Sequence, residues 1–433
     1  MENYSIVLFI LAIMIVLSAV ANKIKVSYPI LLVSAGIGIG FIPGTPTIIL
    51  NPEIVFLIFL PPLLYDAAFN ISFKEFKSNL ATISTLAIPL VFLTTTAIAI
   101  VIHYLMPEMT WPMSFALGAI LSPPDAVAAT NVTKGLGLSH RTITILEGES
   151  LVNDASGLIA YRFAVAAITG TSFIIWKAQL QFLVVAAGGL AVGIFIARIV
   201  AFFLFKVKQN SLISISTLVI TPFITYLLAE EIHVSGVLAV VVMGIGLSVF
   251  TGKLFSTETK QQNKAFWDVI IFLLNGLIFI LIGLQFPYVI NSINHEDFMP
   301  FIGYSFLISF IMLVLRIFWI FGHSNNLKKA IDKRTQNIMG FRTRLYSDKK
   351  IDWKNSLIIG WAGMRGIVSL ASALSLPLVL HDGSKFTQRE ALIFISIVVV
   401  LITLIIQGLT LPLLVKALDK HQTEKPSLNS SDK

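Results

Sequence analysis

The chain has 433 residues, of which 56% are hydrophobic and only 12% are charged, and its mean hydropathy is +0.86. A soluble globular domain carries about a quarter charged residues, so this composition excludes a soluble protein. Unbroken apolar runs, such as residues 4–21 and 392–406, exclude a transmembrane β-barrel, whose strands alternate apolar and polar residues. The composition therefore predicts an all-α polytopic membrane protein. Without cysteine, the chain has no disulfide and no thiolate metal site.

Apolar runs long enough to cross a membrane follow one another along the chain, since a span needs roughly 20 apolar residues. The pattern predicts about 13 transmembrane helices, near residues 4–22, 28–43, 53–71, 80–106, 112–132, 142–168, 176–205, 211–232, 234–250, 265–290, 298–322, 355–380 and 388–416. Their connections carry most basic residues on one side and only Lys177, Lys385 and Arg389 on the other. The positive-inside rule then predicts a multi-pass protein of the inner (plasma) membrane, with its N-terminus outside and its C-terminus cytoplasmic.

The basic residues of these connections account for the net charge of +8, so no nucleic-acid partner is expected. Residues 323–354 form the longest polar connection, and we interpret this basic cytoplasmic loop as a contact with anionic membrane lipid. A regulatory ligand site is the alternative for this loop. Residues 419–433 are rich in serine and predict a disordered cytoplasmic tail.

Ionisable residues inside the spans are candidates for function, because a charge at the bilayer centre costs about 3 kcal/mol or more. The candidates are Asp66, Asp125, Glu147, Glu149, Asp154 and Arg365. Three further arginines, Arg162, Arg198 and Arg316, lie closer to span ends, where we expect their side chains to reach the interface. The histidines lie at span ends or in loops without helical pairing, so we expect no metal site from them.

The fifth span contains Pro123 and Pro124 immediately before Asp125. Paired prolines remove two backbone donors and clash with the preceding turn, so the helix is predicted to break there. A second half-helix would direct its positive end at the Asp125 carboxylate, and the freed carbonyls could meet a cation.

The sixth span carries two polar stripes. Glu147, Ser150 and Asp154 share one helix face, while Glu149 and Asn153 lie about a quarter-turn away. One stripe could face an ion and the other a counter-charge. Arg365, flanked by glycines in the twelfth span, needs an acidic partner, for which Glu147 and Glu149 are the candidates.

Four segments together resemble the motifs of the monovalent cation:proton antiporter family, most closely its prokaryotic NhaP-type sodium/proton antiporters, which are related to eukaryotic sodium/hydrogen exchangers. These segments are residues 59–67, 122–128, 148–154 and 363–366, and they occur in the family's order. The resemblance extends from residue 4 to residue 416.

The resemblance implies thirteen helices with two inverted six-helix repeats, crossed broken helices, a dimerisation domain and a mobile core, in a homodimer. Offsetting the spans by seven pairs the broken fifth span with the glycine-rich twelfth, which independently fits such a repeat. The predicted divisions are residues 1–110 (dimerisation helices 1–3 and the first core helix), 111–175 (core ion-binding helices), 176–322 (linker and dimerisation helices, with helix 11 in the core), 323–354 (basic loop), 355–418 (core helices 12–13) and 419–433 (tail).

The resemblance further implies that Asp125, Ser150 and Asp154 bind the sodium ion, that Asp66 contributes nearby, and that Asn153 keeps the exchange electroneutral. It implies a structural salt bridge between Glu149 and Arg365. Pro124 stands where relatives often carry threonine, so it offers only its carbonyl as a ligand.

The predicted function is electroneutral exchange of one Na⁺ for one proton by alternating access, serving pH and sodium homeostasis, with no enzymatic activity. No cofactor is expected beyond the transported Na⁺ (or Li⁺ or K⁺) and H⁺. The alternatives are a potassium/proton antiporter, a cation channel and an intramembrane aspartyl protease. A protease would require its second aspartate in a Gly-x-Gly-Asp setting, which neither Asp125 nor Asp154 has.

Overall fold

The structure is a computed structural model, and it describes residues 2–24, 28–43, 52–133, 138–170, 175–207, 210–336, 353–380 and 383–423. This part of the chain is almost entirely helical, and its extended pairing is one bridge between Val379 and Lys385. The helices are α1 (Glu2–Ile24), α2 (Tyr28–Gly40), α3 (Pro52–Asn70), α4 (Phe73–Ala87), α5 (Pro89–Leu105), α6 (Trp111–Leu121), α7 (Ala126–Val132), α8 (His140–Ile168), α9 (Ile175–Val207), α10 (Ser211–Glu231), α11 (Gly236–Leu254), α12 (Thr257–Asn291), α13 (His295–Gln336), α14 (Trp353–Trp361), α15 (Ile367–Leu374) and α16 (Arg389–Thr423).

Three pairs of consecutive helices are halves of one segment, so the described helices form the thirteen predicted segments. The α4–α5 pair is interrupted only at Ile88, where Pro89 cannot donate a backbone hydrogen bond. The α6–α7 and α14–α15 pairs are interrupted at residues 122–125 and 362–366. Each half of these last two pairs is shorter than the roughly 20 residues that a span requires, so only the two halves together can cross a membrane.

Several helices extend beyond the predicted spans. The fourth segment begins at Phe73 rather than near residue 80, and the tenth begins at Thr257 rather than near 265. Helix α13 continues through Gln336, so the predicted loop 323–354 begins as helix, and α16 continues through Thr423 into the predicted tail. The reason is that helical hydrogen bonding continues through polar residues beyond an apolar run. Residues 337–352 and 424–433 lie outside the described residues.

Seven of the described helical segments are long and apolar enough to cross a membrane on their own, and four shorter apolar helices accompany them. Helix α12 packs mainly along α2, where Gly36 and Gly283 face each other and a Cβ on Gly36 would lie 2.5 Å from the Ile280 carbonyl oxygen. Small residues allow two helix backbones to approach this closely in a membrane protein.

Two further groups of helices pack together. In the first group, α11 packs on α3 and α9. The second group consists of α4–α8 packed with α13–α16. Glycines permit close contacts within the second group as well, since a Cβ on Gly148 would lie 2.6 Å from the Ile83 side chain. The two broken segments both belong to this second group.

Candidate functional site

The interruption of the fifth segment lies where the two prolines predict it. Residues 122–125 are not helical, and Asp125 caps the new helix α7 by accepting hydrogen bonds from the backbone N–H groups of Val127 (2.8 Å) and Ala128 (3.3 Å). A carboxylate at a helix N-terminus is stabilised by the exposed N–H groups and the helix dipole. The break therefore holds Asp125 at the junction of two half-helices.

The interruption of the twelfth segment lies directly against the first. The backbone N–H of Asp125 donates to the Met364 carbonyl at 2.7 Å, and the backbone of Ile367 hydrogen-bonds to the Asp125 carboxylate. A Cβ on Gly366 would collide with Asp125 Oδ2, so only glycine leaves room for this carboxylate. Asp125 is thus held by the first turns of both α7 and α15, the two halves that the repeat offset pairs.

Helix α8 brings its first polar stripe to the same place. Glu147, Ser150 and Asp154 line a cavity of about 270 Å³ together with Asp66 and Asp125. The Ser150 hydroxyl also accepts a hydrogen bond from the backbone N–H of Ala126 at 3.3 Å. The sequence-predicted acids and hydroxyl of the site therefore converge on one cavity.

Asp66 enters the cavity from α3, one turn after Pro61 and Pro62, which lie within continuous helix. Its Oδ1 accepts a hydrogen bond from Asn70 Nδ2 at 2.8 Å. The cavity-lining residues that the structure describes include no lysine, arginine or histidine. The carboxylates consequently face the cavity without a cationic side chain among them.

The second stripe of α8 faces the protein interior. Glu149 is 1% exposed and forms a bidentate ion pair with Arg316 of α13, at 2.5 Å to Nη1 and 2.8 Å to Nη2. Arg316 Nε also donates to the Ile359 carbonyl at 3.1 Å. The predicted pairing of Glu149 with Arg365 is therefore wrong, and so is the interfacial position predicted for Arg316.

The physical reason lies in the packing of α13 and in Gly363. Arg316 is 3% exposed, so its side chain is directed to the protein interior, where Glu149 compensates its charge. A Cβ on Gly363 would lie 2.7 Å from Arg316 Cδ, so the bare glycine leaves a passage for the arginine behind the break. The sequence does not display that passage, since it depends on how two distant helices pack.

Arg365 makes a different set of contacts. It is 2% exposed, its Nη1 donates to the Ser122 carbonyl at 2.8 Å, and its Nη2 lies 3.3 Å from Met312 Sδ. Ser122 follows the last residue of α6, whose carbonyls carry the negative end of the helix dipole. The guanidinium thus compensates the end of a half-helix rather than pairing with a carboxylate.

Asn153 connects the second polar stripe of α8 to the interruption of the fifth segment. Its Nδ2 donates to the Pro124 carbonyl at 3.2 Å, and the residue is fully buried. Pro123 lines the cavity, whereas the Pro124 carbonyl points to Asn153, so the predicted role of that carbonyl as an ion ligand stays a prediction.

The Arg162 side chain extends to the connection between α10 and α11, and its predicted position near the membrane interface stays a prediction. It forms an ion pair with Glu230 of α10, whose two oxygens each lie 2.8 Å from a guanidinium nitrogen. Glu230 Oε1 additionally accepts from the backbone N–H of Gly236 at the start of α11. This contact links α8 to α10 and α11.

Uncharged polar residues of the cavity were missed by reasoning restricted to ionisable groups. They are Asn70, Thr130, Asn275 and Ser369. An uncharged polar side chain in the middle of an apolar run is the signal that could have revealed Asn275 and Ser369. Among the residues that the structure describes, no cluster of three or more His, Cys, Asp or Glu side chains could hold a metal ion.

A family model described as the transmembrane sodium/hydrogen exchanger matches residues 8–417. The chain is 35% identical over 425 residues to a sodium, potassium, lithium and rubidium/H⁺ antiporter of Bacillus subtilis (strain 168), covering 96% of this chain but 62% of that protein. It is 31% identical over 425 residues to the Na⁺/H⁺ antiporter ApNhaP of Aphanothece halophytica, covering 96% of this chain and 75% of that one.

The fold is also similar to a solved structure. The sodium proton antiporter MjNhaP1 from Methanocaldococcus jannaschii at pH 8 superposes with a TM-score of 0.74 at 18% identity, covering 96% of this chain and 98% of that chain. This likeness confirms the predicted antiporter-type helical fold. The chain spans about three fifths of the length of the Bacillus relative.

Proposed function

Because the chain belongs to the sodium/hydrogen exchanger family, we propose that it exchanges one monovalent cation for one proton across its membrane. The predicted family, the multi-pass membrane class and the prediction that the chain is not an enzyme are confirmed by this membership. The relatives described above are named antiporters, which favours exchange over the channel and protease alternatives.

The observation that supports the proposal is the convergence of two carboxylates on one cavity. Asp125 lies at the helix interruption and Asp154 lies in the middle of α8. Ser150, one helical turn before Asp154, adds a hydroxyl group to the cavity lining. Sodium prefers oxygen ligands, and a proton competes for the same carboxylate oxygens. A site that either ion can occupy couples the two fluxes if the protein moves only when the site is occupied.

The charge balance of the site supports electroneutral exchange. With Asp125 and Asp154 ionised and one sodium bound, the pair carries a net charge of about −1, and replacing sodium by one proton leaves that charge unchanged. An amide at Asn153 adds no titratable group, whereas an aspartate there could bring a second proton into the cycle. We therefore propose a one-to-one stoichiometry.

Alternating access is proposed as a movement of α4–α8 and α13–α16 relative to the other helices. The cavity is lined by residues of α7, α8 and α15, which belong to this group of helices, and by residues of α3 and α12, which do not. A displacement of the first group would carry Asp125 and Asp154 past α3 and α12. The Arg162–Glu230 ion pair would then have to separate.

We also propose the predicted orientation of the chain in its membrane, its contact with lipid and its assembly as a homodimer. Basic connections favour a cytoplasmic C-terminus, and exposed apolar residues on α9 and α10, such as Phe195, Phe202 and Ile220, suit contact with membrane lipid. The homodimer remains a proposal that rests on the family resemblance. Potassium/proton exchange is the second candidate, because the Bacillus subtilis relative is an antiporter named for potassium as well as sodium, lithium and rubidium.

The test is proton flux in proteoliposomes loaded with a pH-sensitive dye. Addition of Na⁺, Li⁺ or K⁺ should drive proton movement in the wild type, and clamping the membrane potential with valinomycin and potassium should leave the sodium-driven rate unchanged. Asp154→Asn should abolish cation-driven flux while the protein still folds, because the amide is nearly isosteric but cannot exchange a proton. Glu296→Gln, an exposed residue at the start of α13, is the matched control.

Two results would contradict the proposal. A rate that follows the clamped potential would overturn the one-to-one stoichiometry. Full activity of folded Asp154→Asn would overturn the site.

A further inference from the structure

Asn275 carries a buried polar atom that the exchange scheme above does not use. The residue lies in α12, lines the cavity that holds Asp125 and Asp154, and is 4% exposed. Among the described residues, its Oδ1 has no hydrogen-bond partner. A buried carbonyl oxygen without a donor costs about 1–3 kcal/mol, so its retention in a cavity wall requires a physical explanation.

The position of Asn275 is rigidly defined. Tyr28 of α2 lies close enough to Asn275 and to Asp125 for electrostatic interactions with both. The close packing of α2 on α12 at Gly36 and Gly283 leaves little freedom between these helices. The amide is therefore held at the cavity by neighbours that do not belong to the helices carrying the carboxylates.

We propose that Asn275 supplies a neutral oxygen ligand to the transported monovalent cation, from a helix that carries neither Asp125 nor Asp154, and so sets cation affinity at one face of the membrane. This inference rests on the proposed antiport. An amide oxygen is a suitable ligand for a hard monovalent cation and does not bind the competing proton at neutral pH. The residue would thus favour the cation over the proton without altering the number of exchanged charges.

The proposal has a directional consequence. Asn275 is fixed on α12, whereas the carboxylates belong to the group of helices proposed to move. The amide can contact the ion only while the carboxylates face this cavity, and it is left behind when they move. Loss of the amide oxygen should therefore weaken cation binding at one membrane face and not at the other.

The experiment measures the apparent KM for Na⁺, Li⁺ and K⁺ in right-side-out and in inside-out vesicles. Asn275→Leu, which removes the oxygen at similar volume, should raise the KM about tenfold at one face and less than about twofold at the other, as expected for one lost polar contact. Asn275→Asp, which keeps an oxygen in the same position, should restore the KM to the wild-type value or below. Tyr28→Phe should raise the KM at the same face by a smaller factor.

Three outcomes would overturn the proposal. These are an unchanged KM in Asn275→Leu, an equal rise at both faces, and a defect that Asn275→Asp does not relieve, which would show that the amide N–H matters instead. If Asn275→Leu does not fold, the same measurements on Asn275→Ala, which leaves more room, decide the question. Asp154→Asn in the same vesicles separates the two claims, because active Asp154→Asn refutes the antiport site itself.

Discussion

Helix α8 carries two buried carboxylates that differ in what surrounds them. Glu149 is 1% exposed and receives two guanidinium hydrogen bonds from Arg316. Asp154 is 9% exposed, lines the cavity, and has no ion-pair partner among the described residues. The two residues are separated by little more than one helical turn, but Glu149 faces Arg316 in the protein interior and Asp154 faces the cavity.

The comparison shows how one helix can serve both stability and transport. A buried charge with a permanent partner makes the fold sensitive to loss of either partner, because removal of one leaves the other uncompensated. A buried charge without a permanent partner can take an exchangeable ion. Perturbing each face should therefore produce a different defect, in stability for the paired face and in ion exchange for the cavity face.

The largest effect is expected on the paired face. Glu149→Gln should destabilise the protein by about 3–5 kcal/mol, because Arg316 is left as an unpaired buried charge. Thermal unfolding in detergent and the yield of monodisperse protein measure this loss. The double variant Glu149→Gln with Arg316→Met should recover part of the stability.

Glu147→Gln is the matched control, since Glu147 lies on the cavity face of the same helix. Its unfolding temperature should stay near that of the wild type. Equal stability of Glu149→Gln and Glu147→Gln would show that the ion pair does not distinguish the two faces.

The second prediction uses the two glycines of the twelfth segment. Gly366→Ala should displace the Asp125 carboxylate, and a misplacement of about 1 Å can lower the flux by about a hundredfold. Gly363→Ala should instead displace Arg316 and lower stability more than flux in the protein that folds. Flux per folded molecule, measured alongside the unfolding temperature, separates the two outcomes, and an identical defect in both variants would refute the assignment.

A smaller effect is expected from the hydroxyl on the cavity face. Ser150→Ala should raise the apparent KM for sodium about tenfold, which is the expected scale for one lost polar contact. Ser156 of the same helix donates to the Ala87 carbonyl at 2.6 Å and does not line the cavity. Ser156→Ala should lower stability by about 1 kcal/mol without changing the KM. A raised KM in that variant would contradict the separation of the cavity face of α8 from its other faces.

The smallest effect is expected from the ion pair between Arg162 and Glu230. Their side chains are 38% and 29% exposed, so solvent and salt screen their attraction. Arg162→Gln should destabilise the protein by about 1 kcal/mol or less, and the difference should diminish at high salt. Unfolding temperatures at low and high ionic strength measure it, and a large salt-independent loss would show that this pair resembles Glu149–Arg316.

The features that the sequence determined are those set by residues close together in the chain. Apolar runs separated by polar breaks determined the thirteen segments, and Pro123 with Pro124 determined the interruption before Asp125. Helical periodicity determined that Ser150 and Asp154 share one face and that Glu149 lies on another. These results required no knowledge of distant neighbours, because backbone donors and the 3.6-residue repeat are local properties.

Only the tertiary structure decided which distant groups meet. Arg316, rather than Arg365, pairs with Glu149 because Gly363 leaves a passage for the Arg316 side chain and because Arg365 binds the Ser122 carbonyl instead. Asn275 lines the cavity because α12 also contacts α3 and α15, which contribute other cavity-lining residues. A side chain's depth and neighbours depend on how helices far apart in sequence pack together, and neither hydrophobicity nor periodicity encodes that arrangement.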